Sequence, residues 1–356
     1  MEASSGTVLT RSLCSSQSGW RLYPFFFLLL VAGISPACVA STSIVALNTA
    51  ELAPAPHEVT WFGPDDRGDS ESLIRWRRSV GPPVTPDSGI DDQPHDAITV
   101  VSWNTAVGEA DVVRFVRSLP ATNRPLVLLL QEVYRGGSVV PSRLEVDAGF
   151  AGRLGNAAAT GSRQIEAIGR ELGLAVFYVP SMRNGGSSSD EDRGNAILSS
   201  LPLTDLQAME LPFERQRRVA VAAKISGHTS TGESWHLRIV SAHLDNMAGP
   251  KRGWIGAEYG RARQARSLAS LLDDDGPTIL AGDFNTWFGF SDQAYIETER
   301  AFPQTQVTDR RATFRGLLRL DHVFYRLAPR WRAEFQRGSS RYGSDHYPLV
   351  GSLRFN

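Results

Sequence analysis

Cysteine is nearly absent from this chain of 356 residues, which has only Cys14 and Cys38. The residues that follow Cys38 can therefore form no internal disulfide, no thiolate zinc site and no cysteine nucleophile. Lysine is equally scarce, since only Lys224 and Lys251 occur among 37 basic residues. Arginine suits the recognition of phosphate, although a codon-biased genome explains the same composition. The formal net charge of −1 gives no strong overall field, so any binding of a polyanion must be local.

The N-terminal region predicts export. Residues 22–50 contain no charged side chain, and the small residues 35–40 follow a short apolar core. These features are typical of a secretory signal peptide, with Cys38 as an alternative site for lipid attachment. An uncleaved membrane anchor is an alternative, because about 20 apolar residues can span a bilayer. A buried helix is a further alternative for this segment. We assign residues 1–40 to a signal peptide or to a membrane or lipid anchor of an exported protein.

Proline punctuates the next segment and predicts a tether. Residues 41–96 contain seven prolines and little hydrophobic periodicity. The one exception is Leu73 to Trp76, which could form a helical turn that packs on the neighbouring domain. Residues 97–356 alternate short apolar runs with amphipathic stretches, which predicts a single catalytic domain of α/β class with sheets at its core.

Predicted strands outnumber predicted helices in this domain. The strands are expected at 97–103, 126–131, 174–179, 196–199, 219–225, 237–242, 278–281, 322–325 and 347–354. The helices are expected at 110–119, 162–172 and 258–272.

Polar and acidic side chains lie at the ends of these strands more often than a hydrophobic core requires. They are Asn104, Glu132, His243, Asp283, Asn285 and Asp321, and the pair Asp345-His346 precedes the last strand. Loops at strand ends are where catalytic groups usually lie. Oxygen ligands without cysteine suit Mg²⁺ or Mn²⁺, and histidine can move protons near neutral pH. The pattern therefore predicts a metal-dependent site for the hydrolysis of phosphate esters.

The ordered motifs Trp103-Asn104, Gln131-Glu132, Ser241 to Leu244, Gly282 to Asn285, Leu320 to His322 and Ser344 to Pro348 resemble those of the endonuclease/exonuclease/phosphatase superfamily. The resemblance covers about residues 97–356. It implies a four-layered α/β sandwich, with two packed mixed β-sheets between helices, like that of deoxyribonuclease I.

The resemblance also assigns roles to the residues. It makes Glu132 the principal metal ligand, with Asn104 and Asp345 as further ligands of Mg²⁺ or Mn²⁺. The catalytic residues that it implies are His243, Asp283, Asn285, Asp321 and His346. Within this set, Asp321 would orient His346, and His243 would contact the scissile phosphate. In deoxyribonuclease I an acidic residue helps to orient the histidine that corresponds to His243. No counterpart of that acidic residue can be located in this sequence.

Substrate-binding residues are less sharply marked. Asn195 either contacts phosphate or belongs to a plain turn that begins a strand. Arg261 and Arg263 either clamp a polyanion or lie on a solvated helix face. We expect His322 to be structural.

The motifs favour a phosphodiesterase that is nuclease-like, with a nucleic acid preferred to a lipid head group as substrate. The arginine-rich helix and the aromatic residues Trp254, Tyr259, Trp287 and Phe288 favour nucleic acid. The export signal and the apolar run Trp287 to Phe290 favour a sphingomyelinase- or phosphoinositide-type activity, with membrane association through the N-terminus. A catalytically inactive binding domain is a third alternative. No obligate protein partner is inferred.

Overall fold

The computed structural model describes residues 42–47, 59–87, 89–142, 158–159, 161–184, 190–246, 257–274 and 276–355. The chain divides into two units, Met1–Cys38 and Val39–Asn356, and all the described residues belong to the second. The predicted signal or anchor lies outside the described residues. Within the described part of the chain, no helix has the length and apolarity needed to cross a membrane.

Two β-sheets form the centre of the larger unit. The seven-stranded sheet runs in the order β1-β2-β7-β8-β9-β10-β11, and the six-stranded sheet in the order β12-β13-β3-β4-β6-β5. The strands are β1 (Ile44–Ala46), β2 (Val59–Pro64), β3 (Ala97–Asn104), β4 (Leu126–Gly136), β5 (Ala175–Asn184), β6 (Glu191–Ser199), β7 (Thr204–Glu210), β8 (Val219–His228), β9 (Ser234–His243), β10 (Thr278–Asp283), β11 (Asp321–Arg326), β12 (Arg332–Arg337) and β13 (Leu349–Arg354). Both sheets are mixed, because β3 with β4, β9 with β10, and β2 with β7 are parallel pairs.

Among the described helices, four cover the outer faces of the sheets, and the first in the chain packs its Trp76 on Met182 and Phe213. The helices are α1 (Arg67–Arg77), α2 (Val112–Ser118), α3 (Ile165–Leu172), α4 (Ala257–Leu271) and α5 (Gln293–Ala301). A large apolar core fills the space between the sheets, a second packs α4 and α5 on the seven-stranded sheet, and a third packs α2 and α3 on the six-stranded sheet. Apolar side chains point to both faces of the central strands, as expected for sheets that are covered on both sides. The predicted four-layered α/β sandwich is confirmed.

The prediction of a tether over residues 41–96 is wrong for much of that segment. Strand β2 pairs in parallel with β7, and α1 buries Leu73 and Trp76. Arg77 forms an ion pair with the fully buried Glu210. The domain therefore begins well before residue 97. The apolar side chains of α1 lie in the stretch from Leu73 to Trp76, for which the sequence had indicated a helical turn packed on the domain. The tether interpretation failed because prolines here flank short elements rather than replacing them.

Candidate active site

The carboxyl ends of the parallel strands bring the candidate residues to one edge of both sheets. Asp283 ends β10, directly opposite His243 at the end of β9 and Asp321 at the start of β11. Asn104 ends β3 in the other sheet. Its amide donates to Asp283 at 2.9 Å, so this hydrogen bond joins the two sheets at the site.

Asp283 lies at the centre of the arrangement. Its Oδ2 is 3.6 Å from Nε2 of His243 and 3.7 Å from Nε2 of His346. Its Oδ1 accepts the backbone N–H of Asn285 at 2.9 Å. Burial, with the nearby charge of Asp321, raises the pKa of this carboxyl despite the opposing effect of His346. Asp283 is therefore the residue that both histidines face.

Two of the candidate residues have a left-handed backbone. Glu132 has φ of 51° in a bulge of β4, and Asn285 has φ of 50° directly after β10. A residue other than glycine pays about 1–2 kcal/mol for this conformation. Such strain persists where the surroundings impose it, and it is concentrated at functional sites. The bulge turns the Glu132 carboxylate toward His243, whose Nε2 is 3.9 Å away.

His346 has an acidic partner. Its Nδ1 lies 2.7 Å from Oδ2 of Asp321, and both side chains are buried. Burial by itself would lower the pKa of the imidazole, but Asp321 and Asp283 outweigh it and raise the pKa to about 10. Asp345 Oδ1 is 3.8 Å from Nε2 of the same ring. The short contact with Asp321 holds the His346 ring at its Nδ1.

His243 has a basic partner instead. Its Nδ1 lies 3.1 Å from a guanidinium nitrogen of Arg218, which is buried directly before β8. Burial lowers the pKa of this imidazole well below its usual value, and the charges of Arg218 and Arg193 lower it further. The two histidines therefore have partners of opposite charge.

The chemistry of the donor set fits a hard divalent cation. Asp283, Asp321 and His346 each offer a ligand atom within 4.8 Å of the other two, and Oδ1 of Asp321 is buried without a hydrogen-bond partner among the described residues. Nearer to solvent, Glu132 and Asp345 add partly exposed carboxylates. A concentration of carboxylates is costly unless a cation balances it. Because Nδ1 of His346 is already bonded to Asp321, the outer carboxylates are the better candidates for ligands.

The two arginines of the predicted polyanion clamp contact carboxylates of this protein. Arg261 is fully buried and pairs with Asp292 at 2.8 Å. Arg263 pairs with Glu214 at 2.8 Å and with Asp69 at 3.1 Å. These ion pairs attach α4 to its surroundings, and the clamp prediction is wrong for both residues.

The remaining assignments concern buried polar side chains. The amide of Asn195 donates to the carbonyl of Val219 at 2.7 Å, which is the structural alternative for this residue. His322 lies 2.7 Å from the hydroxyl of Thr286 and is buried among aromatic rings, as expected for a structural histidine.

Sequence reasoning missed the cations of the site. Arg218 was not singled out, and the one available signal was a pair of arginines directly before the apolar strand β8. Arg193 has a guanidinium nitrogen 3.5 Å from Glu132 and lies on β6. Arg315 is exposed, 3.6 Å from Asp345, and its guanidinium lies over the ring of Phe314.

Comparison with known proteins finds the model of the Endonuclease/Exonuclease/phosphatase family matching residues 101–346. A UPF0294 protein of Vibrio cholerae is 38% identical over 151 residues, which cover 40% of this chain and 47% of the relative. A UPF0294 protein of Vibrio parahaemolyticus is 31% identical over 130 residues, which cover 36% of this chain and 42% of the relative. The chain thus spans about half the length of the curated relatives that it matches.

Among solved structures, an endonuclease/exonuclease/phosphatase of Beutenbergia cavernae superposes with a TM-score of 0.52 at 18% sequence identity. The superposition covers 73% of this chain and 72% of that chain. At this level of identity the likeness concerns the fold.

Proposed function

Since the chain belongs to the endonuclease/exonuclease/phosphatase family and has its phosphoesterase fold, we propose that it is a divalent-metal-dependent phosphodiesterase. The observation that carries the proposal is the position of Asp283, with Nε2 of His243 at 3.6 Å and Nε2 of His346 at 3.7 Å. Two imidazole nitrogens directed at one buried carboxylate create a polar space in which a phosphoryl group can be surrounded.

The residues divide the chemistry between them. Asp283, whose raised pKa makes it a better proton acceptor, orients and deprotonates the attacking water together with Asn285. His346 is held in the cationic form by Asp321 and stabilises the negative charge that develops on the phosphoryl oxygens.

Glu132, Asn104 and Asp345 would hold Mg²⁺ or Mn²⁺. The cation, when bound, supplies a positive charge that polarises the phosphoryl group. Glu132 is the main anionic ligand in this proposal, because its carboxylate is partly exposed and its backbone is held in a strained conformation.

A nucleic acid is the substrate that we propose. Arg315 is exposed beside Asp345 and lies over the ring of Phe314, which in turn is 4.9 Å from the ring of His346. An arginine stacked on an aromatic ring beside the reacting group suits a polyanion that carries bases. Arg193, near Glu132, adds positive charge to the same region.

A lipid head group is the second candidate, and a specific observation favours it. Phe288 and Leu317 are large apolar residues with exposed side chains, at 57% and 80% exposure. Phe288 follows the strand that ends in Asp283, and Leu317 belongs to the turn after Phe314. Exposed apolar residues close to an active site are typical of enzymes that work at a lipid surface.

A substrate panel tests the proposal. Plasmid DNA, RNA, sphingomyelin vesicles and inositol phosphates are incubated with the purified protein in Mg²⁺, in Mn²⁺ and in EDTA. We expect cleavage of nucleic acid with either metal and none in EDTA. Cleavage of sphingomyelin alone would select the second candidate, and full activity in EDTA would exclude the metal-dependent reaction.

Two variants sharpen the choice of substrate. Arg315→Ala should weaken the binding of DNA and reduce its salt dependence, whereas Phe288→Ser should weaken the binding of vesicles. Arg332→Ala is the matched control, because Arg332 is an exposed arginine on β12 at the far edge of the six-stranded sheet.

We also propose that the protein is exported, on the basis of the uncharged segment at residues 22–50. Mass spectrometry of the processed N-terminus tests this. A chain that begins at Ser41 indicates secretion, a lipid on Cys38 or an intact Met1 in the membrane fraction indicates an anchor, and an intact Met1 in the cytosol would contradict export.

A further inference from the structure

The hydrogen bond between Arg218 and His243 has a fixed direction. A guanidinium carries only N–H donors and offers no acceptor. The nitrogen of Arg218 that lies 3.1 Å from Nδ1 of His243 must therefore donate to it. An Nδ1 that accepts a hydrogen bond carries no proton, so in a neutral imidazole the proton is on Nε2.

The protonated nitrogen points into the candidate site. Nε2 of His243 is 3.6 Å from Asp283 and 3.9 Å from Glu132, and the ring is almost completely buried. His346 is arranged in the opposite way, because its Nδ1 faces the carboxylate of Asp321. An acidic partner favours a ring with both nitrogens protonated, whereas a basic partner leaves one nitrogen as a permanent acceptor.

Arg218 is itself held rigidly. Its second terminal nitrogen donates to the side chain of Gln216 at 3.0 Å. The backbone N–H groups of Arg215 and Gln216 each donate to Asp245 at 2.9 Å. Burial lowers the pKa of the Arg218 guanidinium, and the charge of Asp245 opposes this effect. The turn before β8 is thus attached to the residue that lies two positions after His243.

We propose that Arg218 is a positioning residue that fixes His243 in the tautomer with its proton on Nε2, so that His243 donates a hydrogen bond to a phosphoryl oxygen and does not protonate the leaving oxygen. The proposal rests on the phosphodiesterase function proposed above. A neutral imidazole can donate a hydrogen bond to the phosphoryl group and keep its proton throughout the reaction, and the leaving oxygen then takes its proton from solvent water as its bond to phosphorus breaks. The two histidines then have different roles, with His346 as the cation and His243 as the neutral donor.

The tautomer can be measured without any activity. Histidine labelled with ¹⁵N is incorporated into the full chain, and the resonances of His243 are identified by their loss in His243→Gln. We expect Nδ1 to resonate as an unprotonated nitrogen and Nε2 as a protonated one. A proton on Nδ1 of the wild-type protein would overturn the proposal, whatever the enzyme cleaves.

Three variants then test the role of Arg218. Arg218→Met should redistribute the proton between the two nitrogens and lower kcat by about 10-fold or more with little change in KM. Arg218→Lys keeps a donor and should restore part of the activity. Arg217→Met is the matched control, because Arg217 is equally buried but pairs with Glu210. It should lower the melting temperature and leave the His243 signals unchanged. A wild-type tautomer in Arg218→Met would refute the positioning role.

The leaving group separates hydrogen-bond donation from proton transfer. His243→Ala is assayed on a phosphodiester with a p-nitrophenyl leaving group and on one with an alkyl leaving group. A donor to the phosphoryl oxygen predicts the same fractional loss of kcat on both. A loss at least about 10-fold larger on the alkyl substrate would show that His243 protonates the leaving oxygen, and would overturn the proposal. If neither substrate is cleaved, the proposed function fails, and the ¹⁵N spectra still decide the tautomer.

Discussion

Replacing Trp76 by alanine tests whether the N-terminal helix belongs to the catalytic domain. Trp76 lies in the last turn of α1, is 1% exposed, and packs on Met182 of β5 and on Phe213. Truncating a buried tryptophan to alanine costs about 3–5 kcal/mol, from lost burial and from the cavity left behind. For a domain of this size, each kcal/mol lowers the melting temperature by about 2–4 °C. We therefore expect Trp76→Ala to melt on the order of 10 °C below the wild type.

The same helix provides the control. Ile74 is two residues away and 39% exposed, so Ile74→Ala should change the free energy of unfolding by only about 0.5 kcal/mol. Both variants are unfolded by heat and by urea, with circular dichroism as the signal. Equal melting temperatures for the two variants would refute the burial argument and would favour the interpretation of this segment as a tether.

An effect on the active site is expected as well. Met182, which Trp76 covers, accepts a hydrogen bond from Nε of Arg193 at 3.2 Å, and Arg193 reaches to 3.5 Å from Glu132. Trp76→Ala should therefore reduce activity below its melting temperature, while Ile74→Ala should not. A chain truncated to residues 97–356, which lacks α1 and β2, should fail to give a cooperative thermal transition.

The other predictions concern the site and its supports. Glu132→Ala should abolish activity and the Mg²⁺-dependent rise in melting temperature. Glu132→Gly should have the same two effects but be about 1 kcal/mol more stable than Glu132→Ala, because glycine adopts the left-handed backbone without strain. Asp321→Asn and His346→Ala should each lower kcat at least about 10²-fold with little effect on KM. Gly282→Ala should destabilise the domain, because its Cβ would lie 1.8 Å from a carbonyl oxygen of the neighbouring strand. Burial opposes the ionisation of Glu210, but Arg217 and Arg77 outweigh burial and lower the pKa of this carboxyl. The ion pairs of Glu210 therefore stabilise the fold fully above the unfolded pKa of about 4.3, and this stabilisation is lost as the pH falls through the pKa of the folded state. Glu210→Gln should cost about 3–5 kcal/mol at pH 7 and flatten this acid-side loss.

Clear results would contradict each of these expectations. Retained metal response in Glu132→Ala would remove that residue from the ligand set, and wild-type turnover in His346→Ala would make the last motif structural. An unchanged melting temperature in Gly282→Ala, or an unchanged acid transition in Glu210→Gln, would show that the close packing and the ion pairs contribute little.

The strands that carry the site were predictable because they are buried on both faces. The runs before Asn104 and Asp283 are mostly apolar and almost entirely buried, and each ends in a polar side chain. The strands that were missed carry weaker patterns. Strand β12 is an edge strand with alternating exposure, and β2 is a short element between prolines.

The candidate site could be predicted only in part. The positions of Asp283 and His346 follow from local motifs at strand ends. The contact of Arg218 with His243 depends on the antiparallel register of β8 with β9, which no local pattern gives. Arg261 illustrates the reverse error, because a basic helix looks solvated until the buried Asp292 is known.

The parallel pairing of β2 with β7 also determines when the domain can finish folding. Val59 lies opposite Leu206, so the edge of β2 that faces β7 has no partner until β7 has been synthesised, whereas its other edge can pair with β1. At ordinary rates of translation that delay is on the order of ten seconds. The entropic cost of closing the long loop between β2 and β7 must be met before their contacts can form, which slows the pairing of the two strands further. The edge of the seven-stranded sheet nearest the N-terminus is therefore expected to gain protection from hydrogen exchange late in refolding, after the central strands.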